Sequence, residues 1–198
     1  MEKPEQHTGT ETWGAWISQV GSLPILFSAC HEATHIRDGE PKVSEVGTKA
    51  LAFRLATLVD AKALSTENPQ FGDPNWDPDH PYVDLAENLL KVSSSFSLDI
   101  HMMKPRGIDA CVGLGDLPEQ VDGYWQSLVE CLVAERLTVS INWPFSAGLR
   151  TFTSKLQNRG FPALQLELST ECFESPSDLE ERVFSALSKF AYLLRDSL

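Results

Sequence analysis

Strands and helices alternate along this chain, and that order predicts an α/β domain with a mostly parallel or mixed sheet flanked by helices on both faces. Three observations lead there. Short apolar runs at 23–30, 96–100 and 163–168 have the length of buried strands. Longer stretches place apolar residues at three- and four-residue steps, as at Val46, Ala50, Phe53, Leu55 and Leu58, and again at Val183, Leu187, Phe190, Leu193 and Leu194. The 198 residues also suffice for one full core, so a single domain is expected over 13–198 behind a flexible polar tail of residues 1–12.

Taken in order, the aromatic pair Trp13 and Trp16 marks a short strand or turn at the domain edge, and 23–30 is a buried strand. Ser44 is placed to cap a helix that ends near Asp60, and 61–65 is a second strand. The stretch 68–81 is dense in Pro, Asp and Asn, which excludes a helix or central strand and indicates a functional loop. A helix over 82–92 precedes the strand that runs into His101. A strand over 109–115, a helix over 118–135, a strand over 137–142, a helix over 151–158 and a strand over 163–168 follow. Ser177 and Glu180 form a capping box for the last helix.

With 28 acidic against 16 basic residues, the formal charge of −12 argues against a nucleic-acid partner, and an anionic ligand would need local arginines or lysines. No apolar run reaches the roughly 18–20 residues that span a bilayer, and the polar N-terminus does not read as a signal peptide, so a soluble, cytoplasmic protein is expected. The four cysteines, Cys30, Cys111, Cys131 and Cys172, have no CxxC spacing and read as buried thiols.

The chemistry concentrates at strand ends. His31 and His101 each follow a buried apolar run, where a parallel sheet delivers ligand-binding residues at its carboxyl edge, and Glu167 alternates with leucines in a third strand. Two histidines and a carboxylate from separate strands indicate one metal site, of zinc-hydrolase type. For the remaining ligand, Glu32, His35, Asp38, Glu40 and Glu45 all follow His31. The segment 31–35, HisGluAlaThrHis, resembles the zincin motif, but the Arg-Asp-Gly turn behind it makes the zincin helix a poor fit. His7 and His80 read as solvent-facing, and Trp76 as packing its loop.

The cysteine and histidine at 30–31, the run from His35 to Thr48, Asp-Pro-Asn-Trp at 73–76, Leu-Asp-Ile-His at 98–101 and Gln-Leu-Glu at 165–167 together resemble, in their order, the N-formylglutamate amidohydrolase-like family. The resemblance covers about 23–194. It implies a phosphorylase/hydrolase-like fold similar to the zinc carboxypeptidases, and hydrolysis of a C–N amide bond in an N-acyl amino acid. On these positions it implies zinc held by His31, Glu45 and His101, with Glu32 the runner-up for the carboxylate, and Glu167 as general base. Asp73 and Asn75 would line the substrate side of their loop, and Asp99 would orient a ligand or be structural. Cys30 stands where the family usually has proline. The implied partner is a small molecule carrying a carboxylate. Arg106, just after His101, and Arg150, in a loop matching a Pro-Phe-x-x-Gly segment of the family, are the candidate clamps for it, with Arg37 and Lys104 behind them.

Overall fold

The computed structural model describes residues 10–13, 16–69, 72–91, 95–174 and 177–197. Its strands are β1 (Thr10–Trp13), β2 (Trp16–Gln19), β3 (Ile25–Ala29), β4 (His35–Arg37), β5 (Glu40–Lys42), β6 (Lys62–Thr66), β7 (Phe96–Met103), β8 (Ala110–Gly113), β9 (Val139–Ile141) and β10 (Ala163–Ser169). The helices are α1 (Thr48–Val59), α2 (Pro81–Leu90), α3 (Tyr124–Ala134), α4 (Phe152–Asn158) and α5 (Asp178–Ser197). Eight strands form one mixed sheet in the order β1-β2-β6-β3-β7-β10-β8-β9, and β4 and β5 make a separate two-stranded ribbon.

The centre of the sheet, β6-β3-β7-β10, is parallel, while β2 and β8 pair antiparallel to it. The α/β expectation therefore holds in its mixed form. After β3 the chain turns one way to β6 and later returns on the other side to β7, so the topological switch lies between β3 and β7. Crevices at such a point bind ligands beyond the strands' carboxyl ends.

Both faces of the sheet are covered. Ile25, Phe27, Leu98, Ile100, Leu164, Leu166 and Leu168 join α1, α3 and α5 in the larger core. Leu26, Cys30 and Ala163 join α2 and α4 in a smaller one. The side-chain period of two in a strand makes this division.

Several local expectations shift. The helix starts at Thr48, not at Ser44, because Gly47 has φ 105°, a left-handed value that interrupts the helical path. A Cβ at Gly47 would also lie 2.9 Å from Phe173 Cδ1. The expected helix over 118–135 is broken at Gly123, φ 87°, into a 3₁₀ turn at Pro118–Val121 and α3. The final helix is capped as expected, with Glu180 N donating to Ser177 Oγ at 3.0 Å, but Leu193 is exposed and not part of its buried face. Val46, outside α1, is exposed as well. The tail drawn over residues 1–12 lies outside the described residues up to residue 9, and Thr10–Trp13 is an edge strand. Position 92, the expected end of the second helix, also lies outside them. No helix among the described residues is long and apolar enough to cross a membrane.

Candidate active site

His31 lies two residues beyond β3, after Cys30, and His101 lies on β7 two residues before the strand's end. Glu167 of β10 is in register with His101, on the adjacent parallel strand. All three belong to one cavity of about 580 Å³ at the carboxyl edge of the sheet, together with Glu45, Asn75, Arg106 and Arg150. Of the candidates read from the sequence, the cavity thus gathers these seven along with Arg37 and Lys104, whereas Asp73, expected to line the substrate side of its loop, is fully buried and does not line it.

Glu45 is the hub. It sits three residues before α1, not in the helix's first turn, and its amide donates to the His31 carbonyl at 2.9 Å. Its carboxylate faces both histidines: His31 Nδ1 is 3.2 Å from Oε1 and His101 Nδ1 is 3.0 Å from Oε2, while Met102 N donates to Oε2 at 3.0 Å. The opposite ring nitrogens are held as well. His31 Nε2 is 2.8 Å from Asp73 Oδ1, and His101 Nε2 is 2.6 Å from Asp99 Oδ2. Asp99 is itself anchored by the Ser28 hydroxyl.

These contacts have a proton requirement. An ionised carboxylate only accepts, so four ring nitrogens on carboxylate oxygens need four protons, and both imidazoles must be imidazolium. Burial opposes that charge on both, but Cys30, Asp73 and Glu45 around His31, and Asp99, Glu45 and Cys30 around His101, outweigh it and hold both well above the ordinary histidine value. Glu45 is pushed well below the usual carboxylate range, the histidines overcoming the cost of its burial. A divalent cation would take the place of the two Nδ1 protons. Two imidazole nitrogens and a carboxylate then form an N,N,O donor set suited to zinc, with each other ring nitrogen held by a buried carboxylate in the manner of metal-ligating histidines. The residues fit the metal.

Other donor groupings fit less well. Cys30, His31 and His101 bring donor atoms within 4.8 Å of one another, as do His31, His35 and Asp73. Cys30 Sγ, however, lies 3.7 Å from His101 Nε2, the nitrogen already engaged by Asp99. Asp73 carries the Arg37 guanidinium at 2.5 Å, a positive charge that disfavours a cation there. The letters at 31–35 match the zincin motif, but the segment is a turn running into β4 and the His31 and His35 rings stack at 4.1 Å. Glu32 is committed elsewhere. Its carboxylate accepts from Gly47 N at 3.1 Å and Lys49 N at 2.8 Å, capping α1 from a distant segment.

Glu167 is 7% exposed, and burial raises its pKa, with His101 pulling the other way. Gln165 Nε2 donates to its Oε1 at 2.7 Å. Asn75 is fixed by Phe152 N, which donates to its Oδ1 at 2.7 Å, and its Nδ2 lies 3.3 Å from His101 Nε2. Arg106 and Arg150 are exposed at the cavity wall, over the rings of Phe145 (5.6 Å) and Trp76 (4.4 Å). Neither has an ion pair among the described residues. Arg37 reaches the cavity too, but is tied to Asp73.

Sequence reasoning missed the capping role of Glu32 and the burial of His80, which is 5% exposed and whose Nδ1 accepts from Tyr82 N at 3.3 Å. Pro81 directly after His80 was the available signal, since proline favours a helix's first position and so marks the residue before it as a cap. Trp76 packs its loop as expected, with Nε1 donating to Asp38 Oδ1 at 2.8 Å, yet it also lines the cavity. The four cysteines are buried and free. His7 lies outside the described residues.

No protein-family model and no curated protein matches the sequence. Solved structures do match the fold. An N-formylglutamate amidohydrolase from Ralstonia eutropha JMP134 superposes with a TM-score of 0.72 at 15% identity, over 94% of this chain and 100% of that one. A bacteriophage poly-gamma-glutamate hydrolase gives 0.58 at 17% identity, over 94% and 90%. A metallo-carboxypeptidase from Burkholderia cenocepacia gives 0.52 at 12% identity, over 92% and 60%. At these identities the likeness establishes the fold, a mixed α/β sheet flanked by helices that a metallo-carboxypeptidase also has, as the sequence predicts. The family resemblance read from the motifs has a solved namesake of the same architecture.

Proposed function

We propose that this protein is a zinc-dependent amidohydrolase that cleaves an N-acyl amino acid such as N-formylglutamate, or a related small amide bearing a carboxylate. The observation that carries this reading is the convergence of both histidine Nδ1 atoms on one Glu45 carboxylate, with each Nε2 held by a buried aspartate. His31, Glu45 and His101 would hold the metal. Zinc, when held, supplies a Lewis acid that polarises a carbonyl and acidifies water.

The remaining work falls to the chain's own residues. Asp73 and Asp99 keep the two imidazoles in the orientation that presents Nδ1 to the site. Glu167, a carboxylate made more basic by burial, takes a proton from water and returns it to the leaving nitrogen. Arg106 and Arg150 bind the substrate's carboxylate, and Asn75, held by the Phe152 amide, orients the substrate from its loop.

A second reading, hydrolysis of a γ-glutamyl amide, is favoured by the cavity. Its volume of about 580 Å³ leaves room beyond a single N-acyl amino acid, and one protein of this fold is a poly-gamma-glutamate hydrolase. The deciding experiment measures metal content and hydrolysis of N-formyl-L-glutamate and γ-glutamyl amides by purified protein handled without chelator. Stoichiometric zinc and turnover of one substrate class are expected. Protein that neither retains nor rebinds zinc would sink the proposal.

A further inference from the structure

The second histidine of the stretch 31–35 has no part in the proposed donor set, yet it lies against it. His35 opens β4, where pairing with Lys42 of β5 holds its backbone, and it is 2% exposed. Its ring lies flat on that of His31, with centroids 4.1 Å apart and planes within 9° of parallel. Neither of its ring nitrogens makes a hydrogen bond among the described residues, although Nε2 lies 3.3 Å from Asp73 Oδ2. A buried imidazole whose nitrogens both go unbonded is costly, and native proteins rarely keep one without a reason. The part of His35 in contact with the site is its flat face.

His31 needs such a face. A metal bonds to Nδ1 along its lone pair, which lies in the ring plane, so the plane must be set as well as the position. The torsion about Cβ–Cγ does not set it, because that torsion has a broad preference in histidine. The hydrogen bond from Nε2 to Asp73 Oδ1, at 2.8 Å, leaves it loose as well, since such a bond tolerates about 30° of misalignment. The contact of Nδ1 with Glu45 Oε1 gives way when a metal takes that nitrogen. Two rings then bear on His31: His35, flat on its face, and His101, at 4.8 Å and 69°. His101 is a ligand in its own right, so His35 is the one of the two outside the donor set. We propose that His35 is a positioning residue: laid on the face of His31, its ring fixes the plane in which Nδ1 meets the metal, and so raises zinc affinity without touching zinc. The separate ribbon of β4 and β5 thereby has a task, which is to hold His35 in place.

This inference rests on the proposed zinc site and adds a residue to what supports it. The test measures the zinc dissociation constant, by competition with a chromophoric chelator, in wild type, His35→Leu and His35→Phe. Leucine fills similar space without a flat face, and phenylalanine keeps the face without the nitrogens. His35→Leu should bind zinc about 10–100-fold more weakly, the range for losing a group that orients a ligand. His35→Phe should recover most of that loss. A histidine that only supported the fold would move the metal-free melting temperature and leave the zinc constant of folded protein unchanged. Proton NMR of wild type reads the stack directly. The carbon-bound ring protons of His31 and His35 should be shifted upfield by each other's ring current, both before and after zinc is added.

Unchanged zinc affinity in His35→Leu overturns the inference. So does a His35→Phe protein as weak as His35→Leu, because a ring nitrogen and not the ring face would then be at work. Should neither variant fold, the wild-type spectrum decides: an upfield shift that persists in zinc-loaded protein supports the inference, and one that disappears shows the rings parting and overturns it. Wild type that binds no zinc, with the stack intact, marks the failure of the zinc reading itself, and this inference falls with it.

Discussion

The two faces of the same strands carry opposite chemistry. From β7 and β10, Phe96, Leu98, Ile100, Leu164, Leu166 and Leu168 enter the large core under α1, α3 and α5. The alternate residues of the same strands include Ser97, Asp99, His101, Gln165 and Glu167, also buried but polar or ionisable, with Ala163 and Met103 as the apolar exceptions. The first face is covered by long helices. The second lies under α2 and α4, of 10 and 7 residues, and beyond them opens into the cavity. The apolar face stabilises the fold by excluding water, and the polar face depends on that rigidity to keep buried charges paired at fixed distances. A shift of one residue in register would exchange the two, so the core face protects the site's alignment.

Adjacent residues separate the two roles most strongly. Leu166→Ala should cost about 2–5 kcal/mol in denaturant unfolding through the cavity it leaves, while folded molecules keep zinc and turnover. Glu167→Gln should do the reverse, lowering kcat by roughly 10²–10⁴-fold with zinc retained. Because burial raises the Glu167 pKa, its charge costs stability as pH rises above the unfolded value of about 4.3. The Gln variant should therefore melt no lower than wild type at neutral pH. Loss of zinc in Glu167→Gln, with retention in Glu45→Ala, would mean that Glu167 is the ligand and Glu45 the base.

His101→Ala should abolish metal binding, read by elemental analysis of dialysed protein. Asp99→Asn, which leaves every ligand in place, should weaken zinc by only about 10–100-fold.

The pH dependence sharpens the contrast further. His31 and His101 have raised pKa values in the metal-free fold, so the stability they contribute is fully present below about pH 6.5 and is lost as pH rises through the folded values. Metal binding releases those protons, so the gain in melting temperature on adding zinc should grow from pH 6 to pH 8. A gain that shrinks over that range would contradict the donor set.

The smallest effects belong to the rim. Arg150→Ala should raise KM for a carboxylate-bearing substrate by about tenfold and lower the melting temperature by no more than about 2–4 °C, because an exposed guanidinium over an indole contributes about 0.5–1 kcal/mol at most. Glu32→Ala should lower stability by about 1 kcal/mol through the lost α1 cap and leave zinc affinity unchanged. Weakened zinc would restore Glu32 as a ligand.

Much of this arrangement was legible in the sequence because it is written in local periods. Strand alternation at 163–168 put Glu167 opposite its leucines, apolar runs ending at His31 and His101 marked the sheet's carboxyl edge, and Ser177 capped α5 as its position required. Those features depend on neighbours one to four residues away, which a chain displays in order. Only the tertiary structure set Glu32 and Glu45 apart. It sent the first to cap a helix and brought the second to His101, 56 residues along the chain. It also joined His31 to Asp73 across 42 residues, tied Arg37 to the same aspartate, buried His80 and ran β8 antiparallel to β10. Such pairings follow from loop paths and packing, and no spacing in the sequence encodes them. The strands and their two faces follow from the sequence alone, whereas the partners of each buried charge exist only once the chain is folded.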